Sequence, residues 1–190
     1  TFGVHNVSVL LGHENYVRKS YGLSASKSQM FSMENDELNG AVVDGKSSGS
    51  SFGEYNNEGY FVRAQYDYMN RIFASASYRR DASSRFHPDH RWGNFWSLGG
   101  GWIINHEQWF PQFPWLDMLK VKAFIGSQGN DNIGDYLYTD TYYLTNNQDS
   151  PAIGFGVKGN KEITWETNTN FNAGFDIDLL RGRVSGSIEY

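Results

Sequence analysis

Residues 60–86, YFVRAQYDYMNRIFASASYRRDASSRF, place an apolar or aromatic side chain at every second position. Tyr60, Val62, Ala64, Tyr66 and Tyr68 share one phase, and Ile72, Ala74, Ala76 and Tyr78 resume it after a few residues around Asn70 and Arg71. Arg63, Gln65, Asp67, Ser75, Ser77 and Arg79 fill the other phase. Side chains alternate across a strand with a period of two, so this stretch is a ribbon with one oily and one polar face. Such a ribbon has two stable settings. The oily face packs under a covering layer, or it meets lipid and leaves the polar face on an aqueous interior.

The same alternation recurs along the chain. Val7, Val9 and Leu11 mark a run near 4–14; Trp96, Leu98, Trp102 and Ile104 mark 94–104; Leu119, Val121, Ala123 and Ile125 mark 119–127. The clearest run is 163–180, with Trp165, Phe171, Ala173, Phe175, Ile177 and Leu179 in phase and Glu166, Asn168, Asn170, Asn172, Asp176 and Asp178 between them. A short turn at Arg181 and Gly182 leads into VSGSIEY. About seven strands are predicted, with no helix beyond a possible turn near 107–118. SSGSSFGEYNNEG (47–59) has the composition of a mobile loop.

Connections alternate between long or medium (15–57, 81–93, 128–162) and shorter (70–71, 105–118, 180–183). In an antiparallel meander this puts long loops at one end and tight turns at the other, as in outer-membrane barrels. No run of about 18 apolar residues exists, so no transmembrane helix is predicted. The mean hydropathy of −0.57 suits a barrel as well as a water-soluble chain, because half of each strand is polar. Rings weigh on the choice: Tyr60, Tyr78, Trp96 and Trp165 sit near the loop ends of the oily phase, and Tyr66, Tyr68 and Trp102 near the turn ends. Smaller groups lie between. Trp and Tyr collect where hydrocarbon meets headgroups, which favours a lipid-facing surface.

Four ordered segments carry a resemblance: RRDASSRF (79–86), RWGNFWSLGGGW (91–102), WLDMLKVKAFIGSQGNDNIGDY (115–136) and NKEITWETNTNFNAGFDIDLLRGRVSGSIEY (160–190). With HNVSVLLG (5–12) they resemble the C-terminal half of the barrel of the SusC/RagA family of TonB-dependent outer-membrane transporters. The sequence departs from that pattern at Ala82, where the family has Gly, and at Trp96 and Lys161, where it has Pro. The resemblance implies an all-β antiparallel meander forming part of a large transmembrane barrel, with a plug domain and the remaining strands absent. It implies uptake of oligosaccharides or peptides, a SusD-like surface lipoprotein as partner, energy from the TonB system, and a place in the bacterial outer membrane. Thr1 at the start and the alternation still running at Tyr190 make us read residues 1–190 as a fragment of a receptor barrel domain.

The chemistry-bearing residues are sparse. The net charge of −5 argues against a nucleic-acid partner, and the lack of cysteine excludes a thiolate metal site. HPDH (87–90) has no third ligand of fixed geometry, and NDNIGD (130–135) misses the calcium-loop register. LGGGW (98–102) lacks the lysine and helix of a phosphate cradle. Asp67, Asp176 and Asp178 are polar-phase residues, expected to form a hydrated ladder with Arg63, Arg79, Lys120 and Lys122. No catalytic, cofactor-binding or metal residue is assigned, and no enzymatic activity is expected. Tyr136, Tyr138, Tyr142 and Tyr143 could form a sugar platform or pack against neighbours, so substrate-binding residues stay unassigned. The rival readings are a water-soluble all-β glycan-binding module and a barrel enzyme.

Overall fold

The computed structural model describes residues 3–34, 37–45, 49–148 and 150–190. Its strands are β1 (His5–Ser24), β2 (Lys27–Met30), β3 (Ala41–Asp44), β4 (Gly49–Tyr68), β5 (Ile72–Ser83), β6 (Trp92–Ile103), β7 (Leu116–Asn130), β8 (Tyr142–Asn147), β9 (Ser150–Phe155), β10 (Glu166–Leu179) and β11 (Val184–Glu189). Seven of them form one sheet in the order β1-β4-β5-β6-β7-β10-β11. From β4 onward each neighbouring pair is antiparallel. The predicted meander is present.

Residues 1–15 with 57–190 form one unit, and 16–56 a second. In the second, β2 and β3 make a small hairpin, and Tyr21 packs on Phe52 at 5.1 Å. The loop expected over 47–59 is a strand from Gly49 onward, because the Ser- and Gly-rich segment finds backbone partners; Ser47 and Ser48 lie outside the described residues. The turn of helix expected near 107–118 is also replaced. A single 3-10 turn spans Ile104–His106 and isolated turns follow it, the Phe110 amide donating to the Glu107 carbonyl at 3.2 Å and the Leu116 amide to the Phe113 carbonyl at 3.1 Å. Pro111 and Pro114, which cannot donate, keep these turns from joining into a helix before β7 begins at Leu116.

Tight turns need residues that tolerate positive φ. Met69 (φ 52°) and Asn70 (φ 54°) close β4 onto β5, with the Arg71 amide donating to the Tyr68 carbonyl at 2.9 Å. Leu180, Arg181 and Gly182 (φ 56°, 61° and 74°) do the same between β10 and β11. At the other end the β1–β4 and β7–β10 connections are long, the latter carrying the β8–β9 hairpin. The expected alternation is incomplete: the β5–β6 connection there (84–91) is shorter than the turn-end β6–β7 connection (104–115).

Buried side chains in the first unit are few: Ala82, Phe86 and Phe95, with Asp81, Ser83 and Asn105. Water-soluble domains of this size hide about 70% of their unfolded surface in one core. Among the described residues of this unit the buried apolar side chains sit at the loop end, and both sheet faces are open.

Candidate functional site

The candidate site is the pair of faces of the seven-stranded sheet. Cross-strand register aligns the oily phase of every strand on one side: Ala64 lies opposite Ala76, Ala76 opposite Leu98, Leu98 opposite Ile125, and Ile125 opposite Phe171. Leu11 is 75% exposed, Leu98 52%, Phe171 62% and Ile188 63%. An exposed apolar surface this continuous marks an interface with lipid or protein.

Rings edge this surface at both ends. Tyr60, Tyr78, Trp92 and Trp96 lie at the loop end. Tyr66, Tyr68 and Trp102 lie at the turn end, and a string through Trp109, Phe110, Phe113 and Trp115 extends that row with centroids 5.4–6.2 Å apart. Their polar atoms are satisfied at the rims. The Tyr78 hydroxyl donates to Asn94 at 2.7 Å, the Tyr60 hydroxyl to Glu58 at 2.6 Å, and the Trp102 indole N–H to Glu107 at 3.1 Å; Tyr66 shares a 2.8 Å hydrogen bond with His5. The string over 109–115 escaped the period-two reading because it lies outside any strand.

Trp165 is a correction to the loop-end row. The pleat starts only at Glu166, so Trp165 leaves the oily phase. Its ring packs on Phe86 at 5.4 Å and Phe95 at 5.3 Å, and its indole N–H donates to the Arg91 carbonyl at 2.8 Å.

Register also gives the slope of the oily band. Tyr66, Ala74, Gly100, Ala123, Ala173 and Tyr190 form one straight row of opposed residues. From this row to the turn-end limit of the apolar run is two residues on β4 (to Tyr68) but six on β11 (Tyr190 to Val184). At about 3.3 Å per residue and 4.8 Å per strand, that drift over five strand steps is a tilt of about 30°. Closed membrane barrels tilt their strands by about 35–45°, slightly more. The eight-residue climb from Tyr60 to Tyr68 then rises about 23 Å, close to the roughly 25 Å apolar band of such barrels.

The opposite face is polar and linked across strands. Lys122 Nζ lies 2.7 Å from Asp176 and also pairs with Glu189, while the Ser187 hydroxyl donates to Asp176 at 2.7 Å. Arg79 donates to Asp81 at 2.7 Å and to Glu14 at 2.9 Å. Ser77 and Ser97 share a 2.6 Å hydrogen bond. Part of the expected ladder is therefore present in Lys122–Asp176. Lys120 instead lies 5.0 Å over the Phe73 ring, and Asp67 accepts from Asn6 at 3.4 Å. Such solvent-exposed pairs orient the side chains across the strands more than they stabilise the sheet.

Phe61, Phe73, Phe95 and Phe124 stand on this polar side, which strict alternation does not anticipate. The signal was a glycine in register: a Cβ at Gly12 would overlap the Phe61 ring, and one at Gly129 the Phe95 ring. The tips of the Phe61 and Phe95 rings occupy the space that a Cβ on these glycines would fill.

At the loop end two of the sequence motifs interlock. Arg85 of RRDASSRF donates to the Asp131 carbonyl at 2.8 Å and to Asp135 at 3.1 Å, and the Ser83 hydroxyl donates to Asp131 at 2.7 Å. NDNIGD thus turns its carboxylates onto an arginine. His87 pairs with Asp89 at 3.3 Å and His90 lies 3.6 Å from Glu162. Among the described residues no three metal-ligating side chains converge. The four tyrosines do not form one platform: Tyr138 packs edge-on to His87 at 5.9 Å, Tyr142 meets Phe155 at 5.5 Å, and Tyr143 lies over Gly154 on the other face of the β8–β9 hairpin.

Comparison with known proteins now bears on these faces. The chain is 36% identical over 146 residues to the TonB-dependent receptor SusC of Bacteroides thetaiotaomicron, covering 68% of this chain and 14% of that receptor. It is 31% identical over 133 residues to the TonB-dependent receptor P39 of Formosa agariphila, covering 68% of this chain and 12% of P39. It superposes on the RagAB peptide importer in its closed-closed state with a TM-score of 0.87 at 25% identity, over 97% of this chain and 21% of that one. The chain belongs to the SusC/RagA family of TonB-dependent receptors. No family model matches it. It spans about one fifth or less of the length of these SusC/RagA relatives. As a SusC/RagA protein it is a β-barrel protein of the bacterial outer membrane, and the open, ring-edged face is what that location requires.

Proposed function

We propose that this chain is a segment of the barrel wall of a TonB-dependent importer that takes up oligosaccharides or peptides. The ring-edged oily face lies against lipid, and the polar face lines the aqueous interior around a plug domain. Short turns are periplasmic in such barrels, so the long connections and the β8–β9 hairpin stand outside the cell. There they help capture cargo together with a SusD-like surface lipoprotein. Cargo then passes along the polar face when TonB force remodels the plug, and no bond in it is made or broken.

One observation carries this reading: a single face, aligned by register over seven strands, is oily in its middle, edged by rings at both ends and open throughout. A water-soluble glycan-binding module would cover that face with a second sheet. A barrel enzyme would need a nucleophile with its base at one rim, whereas the rim carboxylates Asp131 and Asp135 are taken up by Arg85.

The test is a pair of substitutions in the full-length parent. Ala76→Arg puts a charge on the lipid side at mid-band and is expected to cost about 2–4 kcal/mol. Ser77→Arg, one residue on, faces water and is expected to be tolerated. Equal losses in a denaturant titration of both variants would overturn the assignment of faces.

A further inference from the structure

We infer that the oily face has a built site at its loop end for a net-anionic lipid with a terminal, uncapped phosphate headgroup, the phosphate held by Arg80 and Asn94 and an acyl chain lying over Leu11 and Val62. The inference rests on the lipid-facing reading and adds a specific ligand to it.

Arg80 breaks the oily phase of β5 one step beyond Tyr78, directly opposite Tyr60 on one side and Asn94 on the other. It is exposed, and its guanidinium lies 4.9 Å over the Trp92 ring. Trp92 in turn stacks on Tyr60 with centroids 6.2 Å apart. Among the described residues no carboxylate pairs with Arg80. A cation at the level of the ring row costs little by itself, and the abundant anions there that can meet it are lipid phosphates. A guanidinium offers them a planar two-pronged donor, and the stack on Trp92 presents it ready-oriented. Asn94 stands beside it. Its carbonyl oxygen accepts from Tyr78 at 2.7 Å, which leaves its amide N–H groups as further donors.

Below these donors the face is hollowed. A shallow groove runs between Leu11, His13, Tyr60, Val62, Tyr78 and Arg80, with the two aliphatic side chains in its floor. An acyl chain fits that floor, and its headgroup then reaches Arg80. The neighbouring anion, Glu58, is already engaged: it accepts from the Tyr60 hydroxyl at 2.6 Å and lies 3.2 Å from His13. These two contacts, Tyr60 first, hold its carboxyl below the usual range. Glu58 lies past the ring row and outside the spanning run, one pairing step beyond Arg80.

The test uses the full-length parent in phosphatidylcholine nanodiscs with and without phosphatidic acid, with retained lipid counted by native mass spectrometry. The parent is expected to keep phosphatidic acid selectively. Arg80→Gln is expected to lower that retention about tenfold, the worth of one charge-assisted contact. Arg80→Lys should fall between, and phosphatidylcholine retention should not change. Heat-modified gel mobility identifies variants whose barrel still folds. Equal retention by the parent and a folded Arg80→Gln would overturn the site, as would displacement of the lipid by inorganic phosphate at equal concentration, which would reduce it to a free-anion contact. If Ala76→Arg destabilises while Arg80→Gln changes nothing, the lipid-facing reading stands and the phosphate site falls.

Discussion

Phe86 carries more of the loop end than any charged group near it. It is fully buried, in contact with Trp165, and flanked by Ser83 and Arg85, which reach over to Asp131 and Asp135. The ion pairs can form only where that ring holds the two loops together. Phe86→Ala is therefore expected to cost about 3–5 kcal/mol in the opening free energy of these loops. Hydrogen exchange should report it as faster exchange over 83–91 and 131–135 with little change in β5 or β6; an unchanged pattern would mean that the polar contacts suffice. At this scale the sequence was only partly readable. HPDH and NDNIGD offered no ligand geometry in the sequence, and their partners were invisible there, because Arg85 and Asp135 are 50 residues apart and meet only through strand pairing. Trp165 was misplaced for a related reason: a period of two says nothing about where the pleat begins.

Among the elements, the strands were legible and their ends were not. Alternation locates β5, β6, β7 and β10 because each has one wet and one oily side. It fails for the outer halves of β1 and β4, which read as connection, in β4 because the sequence is Ser- and Gly-rich, and only cross-strand hydrogen bonding makes them strand. It fails again for β8 and β9, six residues each inside a long connection. The turns carry a testable strain. Met69 takes φ 52° in the three-residue connection between β4 and β5, a region that costs an ordinary side chain about 1–2 kcal/mol and glycine almost nothing. Met69→Gly, next to Asn70, is expected to stabilise the parent by about 1 kcal/mol after the entropy loss of glycine is set against the relieved strain. Thermal unfolding in detergent checks this, and a lower melting temperature would show that the Met69 side chain contributes more than its backbone costs.

For the whole molecule, what matters is that register, composition and slope agree. The oily phase of each strand meets that of the next, rings close both ends of the band, and the band climbs the sheet at about 30°, nearly the tilt of a closed membrane barrel. None of these was imposed by the others. Register could have staggered the oily runs out of line, and the rings could have fallen in the middle. Their agreement is the reason to treat the faces as lipid and water rather than as two halves of a missing core. The lack of cysteine in this chain makes the direct measurement practical. Nitroxide labels placed singly at 74, 75, 76, 77, 97 and 98 in the full-length parent in liposomes can be relaxed by oxygen, which partitions into lipid, or by a water-soluble nickel chelate. Labels at 74, 76 and 98 should respond to oxygen and those at 75, 77 and 97 to nickel, switching with every residue. Uniform shielding from both at 74, 76 and 98 would mean that protein covers the oily face, and the barrel-wall account would be wrong.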